Sequence, residues 1–406
     1  MNEPRLRFKA DDESQFPDWE EKKFENLYRK NVEKNVNLEF DSSKTISIAS
    51  MQFNEKGNGA SEDSLSSYKV LRLGDIAFEG HENKEYSHGR FVLNDIGDGI
   101  MSPRFSCMRP VCTQVDGFWK YYIHSERVMK NILVRSTKKG TMMHELVIPD
   151  FLKQSIMVPS LPEQQKIADF LSTIDTVIEK QKETVSAWEE RKKGMMQKLF
   201  SQEVRFKADD GSNFPEWGEK KLGDISERIL VGLATTVTPY YREKGRPMFR
   251  NLNIKQGYLD DRDMLFLDDD YADSQKNKAI HFGDILTVHT GNIGWSCLVP
   301  EKYEGALSFT TLITTVKFNV VSNKYVCDFL NSPLGMNRMQ NLAFSGGRAN
   351  LNTSEFQKVQ VPVPCLAEQQ KIADCLSSLD EVIEKQKATL DAWEELKKGL
   401  LQQMFV

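Results

Sequence analysis

LPEQQKIADFLSTIDTVIEKQKETVSAWEERKKGMMQKLF, residues Leu161–Phe200, recurs as LAEQQKIADCLSSLDEVIEKQKATLDAWEELKKGLLQQMF, residues Leu366–Phe405, with 27 of 40 positions identical at a constant offset of 205. Apolar residues in the first copy fall at Ile167, Leu171, Ile174, Ile178, Val185, Trp188, Met195 and Leu199. The second copy gives Ile372, Leu376, Leu379, Ile383, Leu390, Trp393, Leu400 and Met404. The steps alternate between four and three, with Gln181 and Gln386 at one seam position each, which is a heptad seam on a long helix. Pro162 suits the first turn, and each helix should run about 55–60 Å at 1.5 Å per residue. A helix lying on its own domain would show the same period. So close a duplicate points instead to two seams that face each other, with the glutamines setting register.

Working outward, a second block repeats. Arg7–Lys23 (RFKADDESQFPDWEEKK) matches Arg205–Lys221 (RFKADDGSNFPEWGEKK) at 13 of 17 positions, at an offset of 198. The two offsets differ by seven, so the length change lies in the large segments between the blocks. Those segments share only short anchors: Gly74-Asp75-Ile76 with Gly283-Asp284-Ile285, Phe151 with Phe356, and Pro159 with Pro364. Constant connectors around divergent segments suit a scaffold carrying two interchangeable readers. The divisions are a connector at 1–20, a large segment at 21–160, a helix at 161–200, a connector at 201–218, a large segment at 219–365 and a helix at 366–406. The large segments read as mixed α/β. Val70–Phe78 and Ile280–Val288 alternate like strands, and Gly57–Ser67 and Ser345–Asn350 read as loops.

The net charge of −5 is unevenly spread. Residues 21–160 carry 20 Lys/Arg against 18 Asp/Glu, and 219–365 carry 17 against 16, so the acid excess lies in the connectors and the last helix. That permits basic faces on the large segments without proving them. Six cysteines make no CxxC pair and no zinc spacing, so buried free thiols in a reducing compartment are expected. There is no membrane-length apolar run, and the polar stretch from Met1 to Ala10 is no signal peptide. A cytoplasmic protein is expected.

The doubled Leu-x-Glu-Gln-Gln-Lys-Ile-Ala helix start, preceded by Val158-Pro159 and Val363-Pro364, together with the Gly-Asp-Ile strand in each large segment, resembles the specificity subunits of type I restriction-modification enzymes. The resemblance spans essentially the whole chain. It implies an α/β (α+β) fold with a pseudo-two-fold internal repeat: two mixed α/β target recognition domains separated by two long antiparallel coiled-coil helices. Each domain would read one half of a bipartite double-stranded DNA site, and the helices would act as a ruler. Two modification (methyltransferase) subunits and two restriction (translocase and nuclease) subunits would bind this scaffold. S-adenosylmethionine, ATP and Mg would be used by those partners and not by this chain. The residues agree, since no GxxxxGK[ST] loop and no Asn-Pro-Pro-aromatic run is present. Pro17-Asp18 with Glu20-Glu21-Lys22 vaguely resembles a PD-(D/E)xK nuclease site. Its spacing is too tight to surround a metal, and the second copy replaces it with Glu216 and Gly218. Phe16, Pro17 and Trp19, with Phe214, Pro215 and Trp217, are better read as docking the connector. A coiled-coil adaptor that touches no DNA is the rival reading, and it predicts no salt-sensitive DNA affinity. An orphan specificity subunit without its partners is another.

Base reading needs paired donors and acceptors on loops that approach the duplex. In the second segment the candidates are Arg250, Asn253, His289, Thr290, Asn292, Arg348 and Asn350, from FRNLN, TVHTGNIG and SGGRANLN. In the first they are His81, Asn83, Lys84, Tyr86 and Arg90 after the Gly-Asp-Ile strand, with Arg104, Lys138 and Lys139. That loop departs from a Gly-rich pattern by carrying Glu79, Glu82 and Glu85. His81 and His88 invite a metal reading that no carboxylate–histidine helix motif supports. Asp268-Asp269-Asp270 reads as a solvated loop, without the EF-hand pattern.

Overall fold

A computed structural model describes residues 4–54, 62–344 and 350–405. The chain divides into two compact units: residues 1–182 with 389–406, and residues 183–388.

Each large segment is closed by its own connector. Glu20–Lys23 pairs antiparallel with Ser155–Val158, and Gly218–Lys221 pairs in the same way with Gln360–Val363. The helix start then locks the connector down. Arg7 donates from Nε and Nη2 to the two carboxylate oxygens of Glu163 at 3.0 and 2.9 Å, and from Nη2 to the Pro17 carbonyl at 2.7 Å. Arg205 makes the same three contacts with Glu368 and Pro215, at 3.1, 2.9 and 2.7 Å. Both glutamates are buried. The following glutamine, Gln164 or Gln369, donates to the carbonyl of Pro159 or Pro364 and accepts from the amide of Val115 or Ser322. Lys166 and Lys371 hold the connector by the carbonyls of Lys9 and Lys207. The residues of the repeated motif are thus satisfied locally. The nuclease-like run is part of this joint: Phe16 and Trp19 are buried, and Trp217 donates to Glu368 at 2.9 Å.

The two large segments, domain one and domain two, share a sheet order. Domain one has Tyr28–Lys30, Ser106–Pro110, Ile76–Glu79 and Arg90–Leu93 side by side; domain two has Ser226–Val231, Thr311–Val316, Ile285–Val288 and Ser296–Leu298. Gly74 and Gly283 both sit at φ +82°, where only glycine is unstrained. They turn the chain into the central strand. The expected continuous strand at Val70–Phe78 is therefore two strands, Lys69–Leu71 and Ile76–Glu79, in different sheets. In the second domain only Ile285–Val288 of Ile280–Val288 is extended in the sheet. The aspartate after each glycine is buried. Asp75 takes a two-pronged contact from Arg109 at 2.9 and 2.8 Å. Asp284 accepts from Arg228 at 2.8 Å and from the Thr315 hydroxyl at 2.5 Å. Arg29 lies opposite Arg109, and Arg228 lies opposite Thr315, so the counter-charge comes from adjacent strands in the two domains.

The helices run over Leu161–Phe200 and Leu366–Met404. Each is shared between the units. In the first unit, Lys182 meets Glu394 at 3.6 Å and Lys397 meets Asp175. In the second, Lys387 meets Glu189 at 2.9 Å and Lys192 meets Asp380 at 2.5 Å. These are the same two pairs displaced by the repeat, and in each unit they fix an antiparallel run. Phe405 packs on Phe118 and Tyr122 in one core, and Phe200 on Tyr325 and Phe329 in the other. The seam is buried at Ile167, Leu171, Ile174, Ile178, Val185, Ile372, Leu376 and Ile383. Trp188 and Trp393, expected to fill it, are only half-buried, and Arg191 lies over the Trp188 ring at 5.0 Å.

Three of the six cysteines, Cys107, Cys297 and Cys327, are buried; Cys112 is exposed and the others are half-buried, and all six are free thiols. Asp268 is not a solvated loop residue. Its carboxylate caps the helix Asp269–Ser274, and Arg242 pairs with it at 3.1 Å.

The helix ends, not the tryptophans, should be the sensitive points. Phe405→Ala should destabilise the first unit by roughly 3–5 kcal/mol, as core aromatic truncations do. Trp188→Ala should cost about 1–2 kcal/mol for a half-buried ring. Chemical-denaturation midpoints of the two variants decide it, and an equal shift would contradict this ranking.

Candidate nucleic-acid interface

The second domain brings its candidate loops together at one end of the sheet. The strand Ile285–Val288 runs out into His289–Gly294, a loop pinned by buried Ile293 and by Gly294, where a Cβ would come within 2.8 Å of Met339. Thr290 and Asn292 are left exposed. Asn251, on the turn Asn251–Asn253, donates from Nδ2 to the Thr290 hydroxyl at 3.0 Å. His289 Nδ1 lies 2.9 Å from Asn350 Oδ1, and the Leu351 amide donates to the His289 carbonyl at 3.0 Å. Arg250 donates from Nη2 to the Asp263 carbonyl at 2.7 Å. Arg250 Nε, Asn251 Oδ1 and His289 Nε2 find no partner among the described residues. A buried polar atom left unmade costs about 1–3 kcal/mol. Three such atoms lie together on these neighbouring loops.

The first domain repeats the plan with different residues. After Ile76–Glu79 the chain forms the loop from Gly80 to Gly89, and the His144 amide donates to the Gly80 carbonyl at 2.8 Å. A Cβ at Gly80 would sit 1.9 Å from the His144 carbonyl oxygen, so only glycine permits the approach. This tie matches that between His289 and Leu351. His144 belongs to the hairpin Thr137–Lys139 with His144–Leu146, which carries Lys138 and Lys139. Arg104 is exposed on a turn next to Ser106, itself opposite Phe78, so it lies at the same end of the sheet. His81, Asn83 and Lys84 are exposed. Asn83 Oδ1 accepts from the backbone amides of Glu85 and Tyr86, each at 2.8 Å. Two of the three acids that complicated this loop are used internally. Glu79 is buried against Arg90 at 3.0 Å and His81 at 2.7 Å. Glu82 accepts from His144 Nε2 at 2.5 Å, and that bond holds its carboxyl below the ordinary range.

Comparison with known proteins bears on this arrangement. The family model for the type I restriction modification DNA specificity domain matches residues 88–186 and 215–392. The chain belongs to that family. It is a DNA sequence-specificity subunit, a role without catalysis of its own. It is 23% identical over 353 residues to the MjaX type I restriction enzyme specificity subunit of Methanocaldococcus jannaschii, across 84% of this chain and 79% of that one. It is 24% identical over 290 residues to the MjaVIII type I restriction enzyme specificity subunit of the same organism, across 69% and 68%. Its fold matches the crystal structure of the type I restriction-modification S subunit from M. genitalium with a TM-score of 0.55, 14% identity and coverage of 100% and 99%. A structure describing assembly and conformational transition of the type I system matches with a TM-score of 0.56, 17% identity and coverage of 97% and 99%.

Not every sequence candidate is offered to a ligand in this specificity subunit. Asn253 is fully buried: its amide donates to the Asp260 carbonyl at 2.9 Å and accepts from the Arg250 amide at 2.8 Å, so it builds the turn. Tyr86 is buried under Arg90 and edge-on to His124. Arg90 is held by Glu79 and by the Ala49 carbonyl. Lys138 pairs with Glu145 at 3.1 Å, while Lys139 is exposed. Arg348 lies outside the described residues. Asn251 was missed, although it sits in the same quoted pentapeptide. Only the three-residue turn tells which asparagine faces in and which faces the loop.

Asn253→Ala should destabilise the domain by about 1–3 kcal/mol, the cost of stranding buried polar groups. Asn292→Ala should leave stability within about 0.5 kcal/mol and weaken DNA binding. Thermal unfolding and DNA titration of both variants separate the roles; a stable Asn253→Ala would refute the assignment.

Proposed function

We propose that each recognition domain reads one half of a bipartite double-stranded DNA target. The observation that carries this reading is the convergence, in each domain, of loops from three chain segments at the end of the Gly-Asp-Ile strand. In domain two, Thr290, Asn292, His289, Asn251 and Asn350 present amide, hydroxyl and imidazole groups suited to base edges, while Arg250 supports the loop from behind. In domain one, His81, Asn83, Lys84, Arg104 and Lys139 occupy the corresponding place. Lysine and arginine there suit phosphates, which set register.

The pseudo-two-fold repeat suits two copies of one partner. Two modification subunits on the helices, joined by two restriction subunits, fit that symmetry. S-adenosylmethionine, ATP and Mg belong to those partners. No helix among the described residues is long and apolar enough to cross a membrane, which is compatible with action on cytoplasmic DNA.

The test is modularity. Replacing residues 24–150 with the matching segment of a relative should rewrite one half of the methylated motif and leave the other intact. Lengthening the helix 161–200 by a heptad, at most about 10 Å, should change the gap alone. Long-read methylation sequencing of cells expressing each variant gives the motif; both halves changing together, or neither, would refute two independent readers.

The purified chain should neither methylate nor cut DNA without its partners. Methyl transfer to target DNA by the highly purified chain with S-adenosylmethionine would sink that part of the proposal.

A further inference from the structure

We infer that each recognition domain carries an apolar wedge, Met142 in the first and Phe344 in the second, that enters the DNA duplex beside the reading loop. The inference rests on the DNA-reading role proposed above.

Met142 is 84% exposed, the most exposed large apolar side chain among the described residues. It does not hang on a loose strand. It sits on the tip of the hairpin between Lys139 and His144, which the Gly140 amide closes onto the Met143 carbonyl at 3.1 Å. That hairpin is tied to the foot of the reading loop through His144 and Gly80. Phe344 is 62% exposed at the end of the helix Pro333–Phe344. Its neighbour Ala343 is buried, and the Ala343 carbonyl accepts from the Asn350 amide at 3.4 Å. Asn350 in turn meets His289. Met142 lies between the helix Glu126–Ser136 and the backbone tie at His144, two residues before that tie, and Phe344 ends the helix Pro333–Phe344, seven residues before the tie at Leu351. Both therefore belong to the stretch that joins the last long helix of the domain to the loop after the Gly-Asp-Ile strand.

A single exposed apolar residue needs no explanation. Recurrence in the same connecting stretch of two domains of divergent sequence does, and the surroundings favour nucleic acid. Lys138 and Lys139 flank Met142. Of the acids near Met142, Glu82 is bonded to His144 and Glu145 to Lys138. The helix leading to Phe344 contains no carboxylate, and its Arg338 is paired with Glu219 at 2.9 Å. Methionine and phenylalanine both serve as wedges that part stacked base steps. A partner that acts on a base must take it out of the stack, and a wedge in each half would loosen the step beside it.

The test uses the full chain assembled with its modification subunits. The duplex carries the motif read from methylated cellular DNA, with 2-aminopurine placed at each step of each half in turn. Wild-type binding should raise fluorescence at one step in each half. Met142→Ala and Phe344→Ala should each abolish the rise in its own half only. Each should weaken binding at least about fivefold, the low end of losing one base-pair contact. Met142→Leu and Phe344→Leu should retain both. Unchanged fluorescence and affinity in the alanine variants, or no rise at any step with wild type, would overturn the wedge while the reading role stands on selective binding. Loss of assembly with the modification subunits would assign these side chains to a protein contact and equally overturn it. A wild-type assembly that does not select the motif would remove the DNA-reading role and the wedge together.

Discussion

Two buried carboxylates hold the rest of this structure in place. Glu163 and Glu368 open their long helices from inside the protein, where an ionised group is tolerated only if fully bonded. Arg7 and Arg205 supply the matching fork from sequence-distant connectors. The same arginines also take the carbonyls of Pro17 and Pro215, so one guanidinium fixes the connector, the helix start and the path of the first domain strand. Loss of either partner would leave a charge in the interior. That requirement, imposed twice, accounts for why the two blocks have stayed alike while the segments between them have not.

The recognition domains show what freedom remains once their ends are fixed. Each keeps a buried aspartate after a left-handed glycine, and each keeps the same strand order. The counter-charge is not kept in place. Arg109 supplies it in one domain from the strand next to the central one; in the other Arg228 supplies it from one strand further out, while the Thr315 hydroxyl adds a neutral hydrogen bond. Coulomb attraction asks for a cation within reach and is indifferent to which strand offers it. Domains can therefore diverge in sequence while their loops still emerge at the same end of the sheet.

This explains what could be read from the sequence. The helices, the connectors and the Gly-Asp-Ile anchors repeat, and repetition revealed both the architecture and the seam. The half-burial of Trp188 and Trp393 was hidden because a heptad pattern marks direction, not depth. The choice between Asn251 and Asn253 was hidden too. Both lie on one short turn, and which faces inward depends on a bond to Asp260 seven residues on from Asn253. Glu79 and Glu82 looked hostile to DNA because the sequence does not show Arg90 folding back onto one or His144 reaching the other. Met142 and Phe344 gave no periodic signal, since exposure at a turn or a helix end is a tertiary property.

The sharing of each long helix between units bears on the order in which the protein forms. The unit built from residues 183–388 is one continuous stretch of chain. The other begins first but has a gap in its core, beside Phe118 and Tyr122, that Phe405 fills. Domains of a nascent chain generally fold from the N-terminal end first. Here the ribosome delivers the missing piece only after residue 388 has emerged, so the later-made unit is completed first. Until then the earlier one keeps an open aromatic surface at Phe118 and Tyr122.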